Sequence, residues 1–242
     1  MLRHGGVLPV IVGTVLAVIL IAIIITGAVA AVVIVHDHQT HKIEAGPLKE
    51  LGTFDASGII LREIVGDVRI VRVNVSGVVL KSNLPIKAYY SRGLLTVYCP
   101  REREKGLLGS SERNARNEYK GGKVVIEVGK RLSEMQVREI VGNINVNVNT
   151  TRTILMDVVG DISAVTPAEY VIDNIMGDIP LHARRDVNIS DVVGDVEIFV
   201  PENLSIQLTV NDIMGKLENT HSGSGTPVLV RVSDVMGNVR IG

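Results

Sequence analysis

Aspartate is the residue whose recurrence in this chain could do chemistry. Asp157, Asp161, Asp173, Asp178, Asp191, Asp195, Asp212 and Asp234 return at a nearly fixed interval. If that interval is one layer of a stacked structure, they line up in columns about 5 Å apart. Like charges at such spacing repel unless water, a cation or hydrogen bonds screen them. Calcium is the cation such oxygen columns would suit, and Asp157, Asp161, Asp191 and Asp195 are the candidate ligands. Against a metal site, Asn143, Asn174, Lys216 and Asn238 interrupt the columns. The expectation is therefore turn residues whose side chains accept backbone N–H groups, with no metal and no cofactor.

Other reactive groups are sparse. Three histidines, His36, His38 and His41, stand close together, but no register fixes them as ligands, and they read as a solvated spacer. His182 and His221 read as surface residues. Cys99 is the single cysteine, so no internal disulfide framework exists. It reads as a small buried hydrophobe. No Ser-His-Asp set, phosphate-binding glycine loop or zinc spacing occurs, and the chain reads as non-enzymatic. A net charge of -1 offers no bulk attraction for nucleic acid. Asn74, Asn149, Asn188 and Asn203 each open an Asn-x-Ser/Thr sequon, candidate glycosylation sites if the region lies outside the cell.

The elements that position the aspartates are repeats. Gly66, Gly142, Gly160, Gly177, Gly194, Gly215 and Gly237 head one recurring pattern, with spacings of 76, 18, 17, 17, 21 and 22. Removing a charged, loop-like insertion of 22 residues at 101–122 leaves 54 of the first 76, which would hold three further turns of 18. With Lys123 that insertion carries seven basic and four acidic residues, and Tyr119 is its one aromatic. Within each unit apolar residues alternate as on a half-buried strand. The inward set runs Tyr170, Ile172, then Ile175, Ile179, Leu181 in one unit, and Val187, Ile189, then Val192, Val196, Ile198 in the next. The parity flips at an intervening pair in every unit, as at Asp173-Asn174 and Ser190-Asp191. A straight strand cannot do this, because a slip of one residue turns its apolar face outward. The chain must bend there. The repeated glycine, at inward parity, predicts a second bend or a close backbone approach. Two bends and three short strands per unit give an all-β fold, a β-solenoid of about nine coils over residues 55–242.

Residues 7–35 carry no charge over 29 positions, longer than the roughly 20 a bilayer core needs as a helix. They are expected to form one N-terminal transmembrane α-helix, with 1–6 as a short leader or cytoplasmic tail and 36–54 as a linker. Membrane lipid is then a partner, and the C-terminal domain is expected outside the cell. Gly5, Gly6, Pro9, Val10 and Ile11 resemble the amino terminus of archaeal type IV pilins. That resemblance implies cleavage beside Gly5 or Gly6 and packing of the helix in a filament. Leu8 stands where the pilin pattern has Ser, and Arg3 alone supplies leader charge.

The repeated Ser/Asp-Val-Val/Met-Gly-Asp-Val/Ile-x-Ile pattern, together with residues 199–206, resembles the toast-rack β-solenoid domains of adhesin-like surface proteins. The resemblance covers about 55–242 without the insertion. It implies a membrane-anchored cell-surface module and no catalytic residues.

One column is unusual. Val65, Val141, Val159, Met176, Val193, Met214 and Met236 precede the glycines at outward parity, yet all are apolar. The corner geometry is expected to tuck them in; otherwise they form an exposed stripe for a partner. The chain also stops at Gly242, one residue past a full-consensus strand, which predicts an uncovered last coil and self-association. The function expected is a single-pass, adhesin-like structural or binding module that forms homo-oligomers and takes a surface glycan or protein. A pilin-like filament subunit is the alternative.

Overall fold

The computed structural model describes residues 43–106, 109–114 and 119–242. The helix expected over 7–35, the leader-like residues and His36, His38 and His41 lie outside these. Among the described residues every regular element is a strand, and no helix is long and apolar enough to cross a membrane. The fold of this unit is all-β.

The core repeat has two strands, not three. A longer strand runs up to the glycine and a shorter one leaves it: β3 (Gly58–Val65) and β4 (Asp67–Arg72), β12 (Leu132–Val141) and β13 (Ile144–Asn147), β14 (Thr150–Val159) and β15 (Ile162–Val165), β16 (Glu169–Met176) and β17 (Ile179–His182), β18 (Val187–Val193) and β19 (Val196–Phe199). Two further rungs follow, β20 (Leu204–Met214) with β21 (Leu217–Asn219) and β22 (Thr226–Met236) with β23 (Val239–Ile241). All the longer strands lie in one sheet and all the shorter ones in another.

The polar pair explains the difference. Its second residue, Glu63, Glu139, Asp157, Asn174, Asp191, Asp212 or Asp234, has a positive φ of 49 to 57°. Each therefore adds one left-handed residue inside a continuous strand, and the ladder skips it: Arg138 pairs with Met156 and Ile140 with Val158, with nothing between. Two successive residues then face outward, and the inward parity resumes one step later. Asp and Asn tolerate this conformation best, which is why they dominate the position. The kink shifts the side chains without turning the chain into another sheet.

Pairing is parallel from rung to rung and in register at the repeats, as in Ile172 with Ile189 and Ile179 with Val196. The inward residues of both sheets form one apolar core, in which Val196 and Val239 are buried. Tyr170 is its largest side chain. Its hydroxyl donates to the Thr166 carbonyl at 3.1 Å and accepts the Thr166 N–H at 3.0 Å, and burial pushes its pKa well above the ordinary phenol value.

Among the described residues eight rungs, rather than about nine coils, are stacked, and the end rungs are out of chain order. In the long-strand sheet the order is β20, β22, β18, β16, β14, β12, β3, then β7 (Leu94–Tyr98). β7 continues as β11 (Lys123–Val128), which pairs with β4. The first repeat therefore lies inside the second, and the last inside the one before it. The chain terminus is accordingly not the uncovered end. β23 is held between β19 and β21, and β20 and β21 form the outermost rung.

Of the residues expected to make three more turns, β7 and β11 make one rung, and the others help to cap that end. β5 (Val78–Ser82) pairs antiparallel with β11, β2 (Lys49–Phe54) antiparallel with β5, and β6 (Lys87–Ser91) antiparallel with β7. Arg92 and Gly93, both at positive φ, make the two-residue turn from β6 to β7. Residues 49–54 thus belong to the sheet and not to a linker. The charged insertion is a hairpin, not a loop: β8 (Arg101–Gly106) pairs antiparallel with β9 (Gly109–Asn114). The short strands β1 (Ile43–Glu44) and β10 (Tyr119–Lys120) also pair.

Candidate interaction surface

The surface with a design of its own lies at the corner where each long strand meets its glycine. Four consecutive columns run up the stack there: the left-handed kink residues, the apolar stripe two positions later, the glycines, and the Asx residues that follow them.

The glycines form a ladder of backbone approaches. A Cβ on Gly160 would lie 2.4 Å from the Gly142 carbonyl oxygen, and one on Gly177 2.3 Å from that of Gly160. The φ values of 142 and 152° at these positions further disfavour any side chain. The expected close approach is present at each of the seven repeats.

The Asx column is a hydrogen-bond ladder. Asp67 Oδ1 accepts the Asn143 N–H, Asn143 Oδ1 that of Asp161, Asp161 Oδ1 that of Asp178, and Asp178 Oδ1 that of Asp195. Asp195 Oδ1 then takes the Asn238 N–H at 2.8 Å, and Asn238 Oδ1 that of Lys216 at 3.1 Å. The four calcium candidates divide between two columns: Asp161 and Asp195 sit in this ladder, Asp157 and Asp191 at kinks. Asn donates no charge yet serves as well as Asp, so the interruptions of the aspartate column follow from the backbone task. Among the described residues no cluster of three or more His, Cys, Asp or Glu could hold a metal.

The stripe is not tucked in. Val141, Val159, Met176, Val193, Met236 and Met214 are 46 to 72% exposed, and Val65 is half-buried. Each stands between an inward Ile or Val and the glycine, so simple alternation throws it outward. Its backbone is pinned as well, because the glycine N–H of the neighbouring rung donates to its carbonyl, as Gly160 does to Met176 at 2.9 Å. The result is one apolar side chain per rung, about 4.8 Å apart.

Other candidate residues lie apart. Asn74, Asn188 and Asn203 are exposed, and Asn149 is half-buried next to the start of β14. Cys99 is buried. His182 stacks on Phe199 with ring centroids 4.9 Å apart, and His221 Nε2 lies 2.9 Å from the Leu204 carbonyl oxygen. On the outer face of the short-strand sheet the small side chains Asn145 and Ser163 leave a cavity of about 460 Å³ between Arg69, Pro180 and Leu48. Sequence reading missed this trough because it arises from side-chain size across rungs. Beside it Arg240 bridges Glu197 and Glu218 at 3.5 and 3.3 Å, and the Lys216 hydrogen bond holds the Glu218 carboxyl below its usual range, with Arg240 adding to it.

No family model matches the chain, and no curated protein matches it. Among solved structures it is similar to a "putative cell adhesion protein" from Clostridium sporogenes, at 11% identity over 81% of this chain and 97% of that one, with a TM-score of 0.39. It is also similar to a "putative adhesin" from Bacteroides fragilis, at 10% identity over 83% and 100%, with a TM-score of 0.42. A "putative lipid binding protein" from Parabacteroides distasonis aligns at 14% identity over 83% and 99%, with a TM-score of 0.28. At these scores the architecture rests on the chain's own strand register.

Proposed function

We propose that the chain is a non-enzymatic, adhesin-like module of the cell surface, a β-solenoid with reordered end rungs held at the membrane by residues 7–35. Adhesion is what the names of the Clostridium and Bacteroides structures say of those proteins. For this chain the reading is carried by the exposed apolar stripe: one side-chain type repeated at one interval on a rigid scaffold suits an extended partner better than a single reacting atom. Self-association belongs to the same reading and is assigned to the outermost rung. There Leu208, Val210 and Ile213 are only half-buried and Leu217 is exposed, beside the unpaired edges of β20 and β21.

Labelling intact cells with a membrane-impermeant amine reagent is the test of location. Modification of the full chain, and its recovery with the membrane fraction, are expected; a chain labelled only after lysis overturns the placement. Amino-terminal sequencing of the mature protein separates the two anchoring modes. An intact Met1 region fits a single-pass anchor, and a start at Gly6 or Val7 fits the pilin-like filament subunit. Sedimentation of the full chain at micromolar concentration is expected to show dimers or larger species, and monomer alone removes the association from the proposal.

A further inference from the structure

The apolar stripe has charged borders. Two positions before it, in the kink column, stand Glu63, Glu139, Asp157, Asn174, Asp191, Asp234 and Asp212 in stacking order; two positions after it stand Asp67, Asn143, Asp161, Asp178, Asp195, Asn238 and Lys216. Ten of these fourteen flanking positions are carboxylates and one is a cation. Three positions before the stripe, Arg62 and Arg138 offset the acids at the capped end, so the uncompensated negative charge begins at the rung of Asp157 and runs toward the open end. From that rung on, the flanking aspartates are exposed.

This pattern selects among occupants. A second copy docked face to face, in either two-fold arrangement, sets carboxylate columns against carboxylate columns, which costs association energy. An anionic lipid surface meets the same repulsion. A polypeptide with an apolar ridge and basic flanks meets neither. Spacing narrows the choice further. Stripe residues recur about every 4.8 Å. Same-face side chains recur about every 5.4 Å on a helix but about every 6.6 Å on an extended strand. The five rungs from Val159 to Met214 span about 19 Å, the length of a helix of roughly 13 residues.

We infer that the stripe from Val159 to Met214 is a docking surface for a cationic amphipathic helix, its apolar ridge on Val159, Met176, Val193, Met236 and Met214 and its Lys or Arg side chains over the flanking aspartates. The inference deepens the surface-module reading and rests on it, naming the partner class that the stripe takes.

The test uses the full chain in zwitterionic nanodiscs and a fluorescent amphipathic helix built of Leu and Lys, with empty nanodiscs as the blank. Saturable binding is expected, weakening as salt rises. The combined variant Asp157→Asn, Asp161→Asn, Asp178→Asn, Asp191→Asn, Asp195→Asn keeps the Oδ1 acceptors and the left-handed preference while removing five charges. It is expected to bind roughly thirtyfold more weakly. Val159→Thr, Met176→Gln, Val193→Thr together are expected to weaken binding at least about tenfold with the melting temperature held. Unchanged affinity in either variant overturns the inference, as does equal binding of a Leu/Glu helix. Binding of the chain to anionic vesicles through the stripe assigns it to lipid instead. A change in sedimentation on mutating the stripe assigns it to a second copy. Labelling of intact cells that carry the same chain distinguishes these failures from failure of the surface-module reading, since a chain labelled on cells that does not bind the helix leaves that reading standing.

Discussion

At one end of the stack the outermost parallel strands, β7 and β11, are covered by antiparallel β6 and β5, and Val78, Leu80 and Leu84 plug the core beneath them. Lys49, Glu50 and a bulge between Glu50 and Gly52 mark the edge strand β2, devices that discourage further pairing. At the other end β20 and β21 repeat the rung pattern, and among the described residues no strand follows. Their inward residues, buried in every inner rung, are half-buried or exposed here. The two ends show that register alone makes a rung, while closure needs strands of opposite direction. A parallel repeat presents the next rung with the same template it received, and only a break in the repeat ends the series.

The glycine ladder offers the largest effect with which to break this contrast. Gly177→Ala sets a Cβ against the Gly160 carbonyl in the middle of the stack, where rungs on both sides prevent relief, and is expected to cost about 4 kcal/mol or abolish folding. In Gly215→Ala the clash with the Gly237 carbonyl is as close, at 2.0 Å, but the outermost rung can move away. A loss of about 1 to 2 kcal/mol is expected there. Thermal unfolding of the two variants decides it, and equal losses would show the open end to be as rigid as the middle.

Truncation of the core is the next test. Ile172→Ala removes a fully buried side chain between two rungs and is expected to cost about 3 to 4 kcal/mol. Leu208→Ala, at a half-buried inward position of the outermost rung, is expected to cost about 1 kcal/mol. Denaturant midpoints measure both, and a large loss at Leu208 would mean that something covers the rung in solution.

Much of the repeat was legible in the sequence, and the limits are physical. The parity flip located the irregularity because a buried face cannot be left to chance, but it is a left-handed kink inside one strand and not the bend between strands that was expected; the glycines announced a close approach. The apolar outward column was visible as an anomaly, but its exposure was not, because alternation predicts orientation while burial depends on what lies beside the corner. Rung order was hidden because identical rungs fit equally well at any level. Its traces were present nonetheless: the spacings of 21 and 22 at the end, against 17 and 18 within, supply the extra residues needed to step outward and return. Asn219 stands where the inner rungs have an apolar residue, and Lys216 where they have Asx. The cap strands at 78–91 read as further coils because 54 divides by 18, an arithmetic coincidence, and they carry no glycine motif.

Tyr170 tests the middle rungs by pH. Its raised pKa means that the folded state holds its proton where the unfolded chain releases it. The associated stability is whole below the ordinary tyrosine value near 10 and declines as pH rises through and beyond that value. Tyr170→Phe is expected to lose about 1 kcal/mol at neutral pH, with the Thr166 hydrogen bonds, and to unfold less steeply in alkali than the parent. Urea titrations at pH 8 and pH 10.5 measure the difference, and parallel pH profiles would place the alkaline sensitivity elsewhere.

The smallest effect on stability belongs to Lys216, and it bears most directly on why the stack stops. Every inner Asx offers an Oδ1 to the backbone N–H of the next rung, but Lys216 receives such a bond from Asn238 and has no acceptor to pass on. Its ammonium instead bonds Glu218 at the edge, where a charged lysine opposes strand addition. Lys216→Asn supplies the missing acceptor and removes the charge. Stability of the single chain is expected to change by about 0.5 kcal/mol or less, since the surface ion pair contributes little. Association is expected to strengthen, because an incoming strand would find the same acceptor that each inner rung finds. Sedimentation at matched concentrations compares parent and variant. If Lys216→Asn associates no more than the parent, the stop lies in the half-exposed inward face, in Leu217 and Asn219, and not in the corner.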